Sequence, residues 1–204
     1  MGSGRGQGTT DPDVRPYRGS GLTEFTITPA TRDDLEPLAA MVNSAYRGAS
    51  ARQGWTNESD LLDGQRTDPA SLADELNAPD PSAILLLRRE ADGPILACVL
   101  MQTFRDDAER LVCHLAMLTV SPGHQGQGLG RLLIAEVERR ARDAGCTAVE
   151  MTVIHSRTEL IAFYGRRGYH PTGRTKPFPY GDERFGRPLR DDLHFVVIEK
   201  ALAP

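Results

Sequence analysis

The stretch "TVSPGHQGQGLGRLLIAEVERRA" (residues 119–141) carries four glycines in the eight positions 123–130 and then runs straight into a helix-forming segment. Ahead of it, "RLVCHLAMLTV" (110–120) is apolar and β-branched enough to be a buried strand. Behind it, "RLLIAEVERRARDAG" (131–145) places apolar residues at helical spacing and stops at Gly145. Strand, glycine-rich turn and helix in that order suit an anion. Glycine lets the backbone approach closely, and the helix start adds unsatisfied N–H donors and a positive dipole end.

Three phosphate-binding patterns compete for this turn. A P-loop needs G-x-x-x-x-G-K-[ST]; Gly123 and Gly128 have the spacing, but Leu129 and Gly130 stand where Lys and Ser/Thr belong. A dinucleotide fingerprint needs G-x-G-x-x-G, whereas Gly126, Gly128 and Gly130 run G-x-G-x-G. The third pattern, Q/R-x-x-G-x-G/A, is met in full by Gln125 to Gly130. Such a nest of N–H groups suits a pyrophosphate and needs no lysine. A tight turn with no ligand would need only one or two glycines.

Working outward, the 204 residues suit one domain with a sizeable core, and 39% hydrophobic with 25% charged residues is ordinary globular composition. A net charge of -4 gives no general reason to expect nucleic acid or an anionic membrane as partner. No apolar run is long enough to span a bilayer, and residues 1–22 contain no hydrophobic signal segment. The three cysteines, Cys98, Cys113 and Cys146, fall in or beside apolar strands without metal-ligand spacing; free thiols in a reducing cytoplasm and no metal are expected.

Residues 1–22, rich in Gly, Ser, Thr, Asp and Pro, read as a disordered tail before a domain at 23–204. "TEFTITPAT" is a strand, and "RDDLEPLAAMVNSAYRG" a helix opened by a capping box at Thr31–Asp34. The long polar stretch from Gly48 to Pro81 is expected to hold short helices at 58–63 and 69–77. "SAILLLRR" and "PILACVLMQTF" form a hairpin, "TAVEMTVI" a strand, "RTELIAFYGRRG" a short helix and "DLHFVVIEKAL" the last strand. That order indicates one layered α/β or α+β domain.

"LTVSPGHQGQGLGRLLI" resembles the central strand, loop and helix of the GNAT superfamily of acyl-CoA N-acyltransferases, where Leu-x-Val-x-Pro precedes Q/R-x-x-G-x-G/A. "RTELIAFYGRRGY" is similar to that family's second signature, matching at Phe163, Tyr164, Gly168 and Tyr169, with Arg157 for the usual Asn and Leu160 for the usual Ala. The resemblance implies an α+β fold of three α/β/α layers, its mixed, mostly antiparallel sheet splayed between two central strands and flanked by helices. It implies an N-acetyltransferase that moves an acetyl group from acetyl-CoA to a primary amine, with no metal; a homodimer is compatible with it. By the same carry-over, backbone groups of Leu118 and Val120 pair with the pantetheine. The turn Gln125, Gly126, Gly128, Leu129, Gly130 and Arg131 holds the pyrophosphate. Tyr164 then protonates the departing thiolate.

The general base is less marked. The strand has no acid at Ala116 or Met117, where the family often carries one. His114, of a residue type suited to proton transfer near neutral pH and with the face parity of Ala116 and Leu118, is one candidate, and Glu58 beside Trp55 a second. A packed core histidine and a solvated surface acid are the competing readings. Trp55, Phe178, Tyr180 and Phe185 are candidates to wall an acceptor pocket, with Glu58, Asp182 and Glu183 attracting a cationic amine. A small-molecule amine is the first expectation. The alternatives are a protein N-terminus or lysine, and a non-catalytic domain that binds acyl-CoA as a regulatory ligand.

Overall fold

The computed structural model describes residues 24–46, 60–78, 81–90, 92–182 and 186–203, and the backbone of Arg15–Arg18. Eight strands form one sheet: β1 (Arg15–Arg18), β2 (Glu24–Pro29), β4 (Ser82–Arg88), β5 (Ala97–Arg105), β6 (Leu111–Val120), β7 (Ala148–Ile154), β10 (His194–Ala201) and β8 (His170–Pro177), in that spatial order. All neighbours pair antiparallel except β6 and β7, which are parallel. A separate pair joins β3 (Leu62–Asp63) to β9 (Arg187–Pro188). The helices are α1 (Leu35–Tyr46), α2 (Pro69–Leu76), α3 (Leu129–Asp143) and α4 (Thr158–Gly165).

Strand alternation divides the core into two layers. In β4, Ile84 and Leu86 face α1 and α2, where Leu38, Val42 and Leu72 are buried. Leu85 and Leu87 face the other way, toward Leu129, Leu133 and Val137 of α3. A strand buried on both faces shows no polar alternation, which is why "SAILLL" is continuously apolar. Each fully buried Leu contributes about 1.5–3 kcal/mol of transfer free energy. The result is a three-layer α+β fold with helices on both faces of a mostly antiparallel sheet.

Helix ends follow local chemistry. The Asp34 carboxylate accepts from the Thr31 N–H at 2.8 Å and the Thr31 hydroxyl at 2.9 Å, opening the turn that leads into α1. Asp68 caps α2 by accepting the Ser71 N–H at 2.9 Å. Past α3, Gly145 takes φ +81, and the Cys146 N–H returns to the Ala141 carbonyl at 2.8 Å.

Four expectations need correction or completion. Within the segment read as a disordered tail, Arg15–Arg18 pair with Glu24–Ile27 as an edge strand. At 58–63 there is no helix among the described residues: Asp60 and Leu61 form a turn and Leu62–Asp63 a short strand. The strands β8 and β9 were not expected at all. β8, "HPTGRTKP", is exposed along its length and holds an edge position, where Pro and Gly are tolerated.

The parallel ladder of β6 and β7 spans only Val112–His114 against Ala148–Glu150. Both strands continue, to Val120 and Ile154, without pairing further, so the sheet opens between them. A bulge accompanies the opening. Cys98 pairs with Thr119 but Leu100 with Ala116, so β6 holds one extra residue there, and Met117 takes φ +50. The bulge also shifts face parity. Leu115 packs toward α3 and Ala116 and Met117 toward α1, yet Leu118 and Val120 are back on the α3 side. His114 and Ala116 therefore share a face that Leu118 does not, contrary to the parity read from the sequence.

Candidate active site

The gap between β6 and β7 opens into a cleft of about 820 Å³, within the range of small-molecule and cofactor sites. One end is the glycine turn. Gly126 and Gly128 have φ +77 and +83, in the left-handed region that a side chain disfavours. Gly128 caps α3, its carbonyl taking the Arg131 N–H at 3.0 Å, which leaves the N–H groups ahead of it at the helix start. Gln125, Gly126, Gly128, Leu129, Gly130 and Arg131 all line this end.

The middle of the cleft is backbone. The Ser121 N–H bonds the Leu96 carbonyl at 2.9 Å. Antiparallel bonding alternates along a strand, so Thr119 faces β5 while Leu118 and Val120 turn their N–H and C=O groups away from it. Two contacts agree. The Tyr46 hydroxyl donates to the Leu118 carbonyl at 3.3 Å, and the Gln125 amide donates to the Val120 carbonyl at 3.2 Å. These peptide groups lie on the side where β7 has left the sheet.

α4 forms the opposite wall. Leu160 and Tyr164, four residues apart on the helix, line the cleft with Arg157 at the helix start and Arg167 in the turn after its end. Tyr164 is buried; burial pushes its phenol above its ordinary pKa, Tyr46 adds to the rise, and Arg167 and Arg157 oppose it. Its ring meets Phe163 and Tyr169 edge-on. Arg167 stacks on Phe163, 3.3 Å from the ring centroid, and donates to the Phe163 carbonyl at 2.6 Å. Burial, then repulsion from Arg131 and Arg166, lowers the pKa of Arg167. With Arg66 at the far end, arginines concentrate positive charge in the cleft of a protein whose net charge is -4.

His114 lines the far end, at the last residue of the parallel ladder. Its Nδ1 lies 3.7 Å from Oε1 of Glu150, which is 1% exposed. Burial alone would raise the Glu150 carboxyl; His114, Arg174 and Lys176 together hold it down at about 2. The carboxylate therefore stays ionised behind the imidazole. Ser71, Asp74, Glu75 and Gln102 line the same cleft; Gln102 pairs with His114 across β5 and β6, and its amide donates to Glu75 at 2.9 Å.

Tyr164, His114 and the whole glycine turn thus share one cleft with Leu118 and Val120. Glu58, Trp55, Glu183 and Phe185 lie outside the described residues. Phe178 is not among the residues that line the cleft: it is buried with Leu62, Ile154 and Leu193 in a small third core, and shares with the cleft lining Ile154 and Phe195, whose ring lies 5.5 Å away. Tyr180 is exposed, its hydroxyl accepting the Leu193 N–H at 2.7 Å. His155 and His194 stack on one another at 3.9 Å, away from the cleft lining. Three residues that line or flank the cleft drew no site role from the sequence: Tyr46, read only as part of the apolar face of the first helix, Glu150 and Arg167. Only Arg167 had a visible signal, the "RR" directly after the tyrosine motif.

Comparison with known proteins agrees with this geometry. The profile of the Acetyltransferase (GNAT) family matches residues 51–169. The zebrafish (Danio rerio) protein "Probable N-acetyltransferase 14" is 33% identical over 86 residues, 42% of this chain and 30% of that protein, so the match spans under a third of that relative's length. The fold is similar to the ribosomal-protein-S18-alanine N-acetyltransferase of Escherichia coli, with TM-score 0.60, 17% identity and coverage of 88% of this chain and 95% of that one. It is equally similar to yncA of Salmonella typhimurium, solved with its cofactor acetyl-CoA, with TM-score 0.59, 19% identity and coverage of 88% and 95%. No helix among the described residues is long and apolar enough to cross a membrane. A strand, glycine turn and helix opening onto a splayed sheet, with a family profile over more than half the chain, place this protein in the GNAT acetyltransferase family.

Proposed function

We propose that this chain transfers the acetyl group of acetyl-CoA to the primary amine of a small molecule, by direct attack of the amine on the thioester. The observation that carries this is one continuous cleft joining a lysine-free phosphate turn, two cleft-facing peptide groups and a buried tyrosine. The Gly126–Arg131 turn and the side chains of Arg131 and Arg167 hold the phosphates. The peptide groups of Leu118 and Val120 extend the sheet toward the pantetheine, in place of the contacts from Tyr46 and Gln125 or sharing the carbonyls with them. The thioester carbonyl then lies near the bulge at Met117.

At that point the amine nitrogen bonds to the carbonyl carbon and the C–S bond breaks. The amine proton passes to His114, whose buried Nδ1 faces the Glu150 carboxylate, leaving Nε2 for the cleft. Tyr164 meets the thiolate as it departs. A tyrosine pKa raised by burial makes full transfer to a thiolate uphill, so the phenol acts chiefly as a hydrogen-bond donor. Asp74 and Glu75 favour the approach of a cationic amine, which sheds one proton to solvent before it attacks as the neutral base.

The test is a panel of acceptors with acetyl-CoA, read as free CoA thiol: an amino acid, a diamine, an amino sugar, an alanine-initiated peptide and a lysine-containing peptide. Cys98, Cys113 and Cys146 are buried, which keeps the protein's own background low. Release above hydrolysis is expected with at least one small amine. Release with the peptides alone would move the acceptor to proteins. Bound acetyl-CoA with no release for any acceptor would leave a regulatory domain.

A further inference from the structure

The bulge in β6 sets the direction of one peptide group, and a side chain holds it there. Met117 takes φ +50, a conformation that a non-glycine residue keeps only where its surroundings enforce it. The Thr119 hydroxyl donates to the Met117 carbonyl at 2.9 Å, and the Cys98 thiol approaches the same oxygen at 3.7 Å. Thr119 and Cys98 are both fully buried. Cys98 belongs to β5, so the Met117 carbonyl is drawn toward β5. In a trans peptide the C=O and the following N–H point in opposite directions. Holding the Met117 carbonyl on that side turns the Leu118 N–H toward the cleft.

We propose that Thr119 is a positioning residue for acyl transfer. Its hydroxyl fixes the 117–118 peptide so that the Leu118 N–H faces the thioester oxygen as negative charge develops on it. An oxyanion donor is effective only when it is aimed before the reaction begins, because reorienting a dipole during the step forfeits the gain. A left-handed residue has a competing, relaxed arrangement in which this peptide turns over. Thr119 supplies a hydroxyl where valine, of the same shape, would supply none. The inference rests on the acetyl-transfer reading above.

The experiment compares wild type, Thr119→Val and Thr119→Ser, using acetyl-CoA and the member of the amine panel that gives the fastest thiol release. Acetyl-CoA binding is measured separately by calorimetry. Valine is expected to lower kcat by about 10- to 100-fold, since a misaimed donor forfeits much of its effect. Acetyl-CoA affinity stays within about threefold, because few of its contacts depend on that one peptide. Serine restores kcat to within about threefold of wild type by restoring the hydroxyl. Should Thr119→Val fail to fold, Thr119→Ala removes the same hydroxyl and takes its place. Unchanged kcat in a folded hydroxyl-less variant overturns the proposal. So does equal loss in valine and serine variants, or loss of affinity with kcat preserved. A wild type that binds acetyl-CoA but acetylates no amine overturns the catalytic reading itself, and the role of Thr119 with it.

Discussion

Tyr164 is the residue on which catalysis and packing can be told apart. Its ring packs against Phe163 and Tyr169, while the residue as a whole lines the cleft. Tyr164→Phe keeps the ring contacts and removes only the donor. We expect kcat to fall by about 10- to 1000-fold, with acetyl-CoA affinity nearly unchanged. Stability should fall by less than about 1.5 kcal/mol, the scale of one hydrogen bond. Turnover within about twofold of wild type, in a folded variant that binds acetyl-CoA, would remove the hydroxyl from the mechanism. The pH profile is a second check. With its pKa raised above the ordinary 10.0, the phenol stays protonated as pH climbs, so Tyr164 contributes no alkaline loss of kcat below that value. The placement of the tyrosine and the turn residues in one cleft was legible because they sit in the two motifs by which the chain resembles the GNAT superfamily. The partnership of His114 with Glu150 was not: it needs β6 and β7 set side by side in register, a pairing 36 residues apart that neither strand's own pattern encodes.

At the scale of elements, apolar periodicity and turn chemistry made most of the fold readable. α1, α2, α3, α4 and the buried strands all have strong local signals, and the Thr31–Asp34 and Asp68 caps mark two helix starts. β8 was hidden because Pro171, Gly173 and Pro177 read as loop; its strand form comes from pairing with β10 and not from propensity. The bulge at Met117 was equally hidden. One extra residue leaves no mark in composition, yet it reverses the face of Leu118 and thereby the parity on which His114 was first judged. The glycine turn gives a prediction at this scale. Gly128 has φ +83, so Gly128→Val strains the turn whatever space is available, and its Cβ would also sit 2.9 Å from Nη2 of Arg131. Acetyl-CoA at about 100 times its dissociation constant should stabilise wild type by roughly 2.7 kcal/mol. The variant should lose most of that gain, a larger change than the fall in its own unliganded melting point. Equal thermal shifts in the two proteins would contradict a phosphate role for the turn.

Across the whole molecule, α1 and α2 cover one face of the sheet and α3 and α4 the other, and between β6 and β7 the sheet itself comes apart. Opening a sheet exposes peptide groups that a closed sheet would pair, at a cost of about 1–3 kcal/mol for each group left unsatisfied. A ligand with its own amide groups can satisfy them, and a ligand with phosphates can complete the arginine-lined end. The central claim is that one thioester ligand does both. A crystal structure of the protein with acetyl-CoA bound tests it most directly. The expected result has the pyrophosphate on the N–H groups of the Gly126–Arg131 turn, the pantetheine between β6 and β7, and the thioester oxygen about 3 Å from the Leu118 N–H. Acetyl-CoA bound elsewhere, or β6 and β7 closed with Leu118 and Val120 paired across the gap, would contradict it.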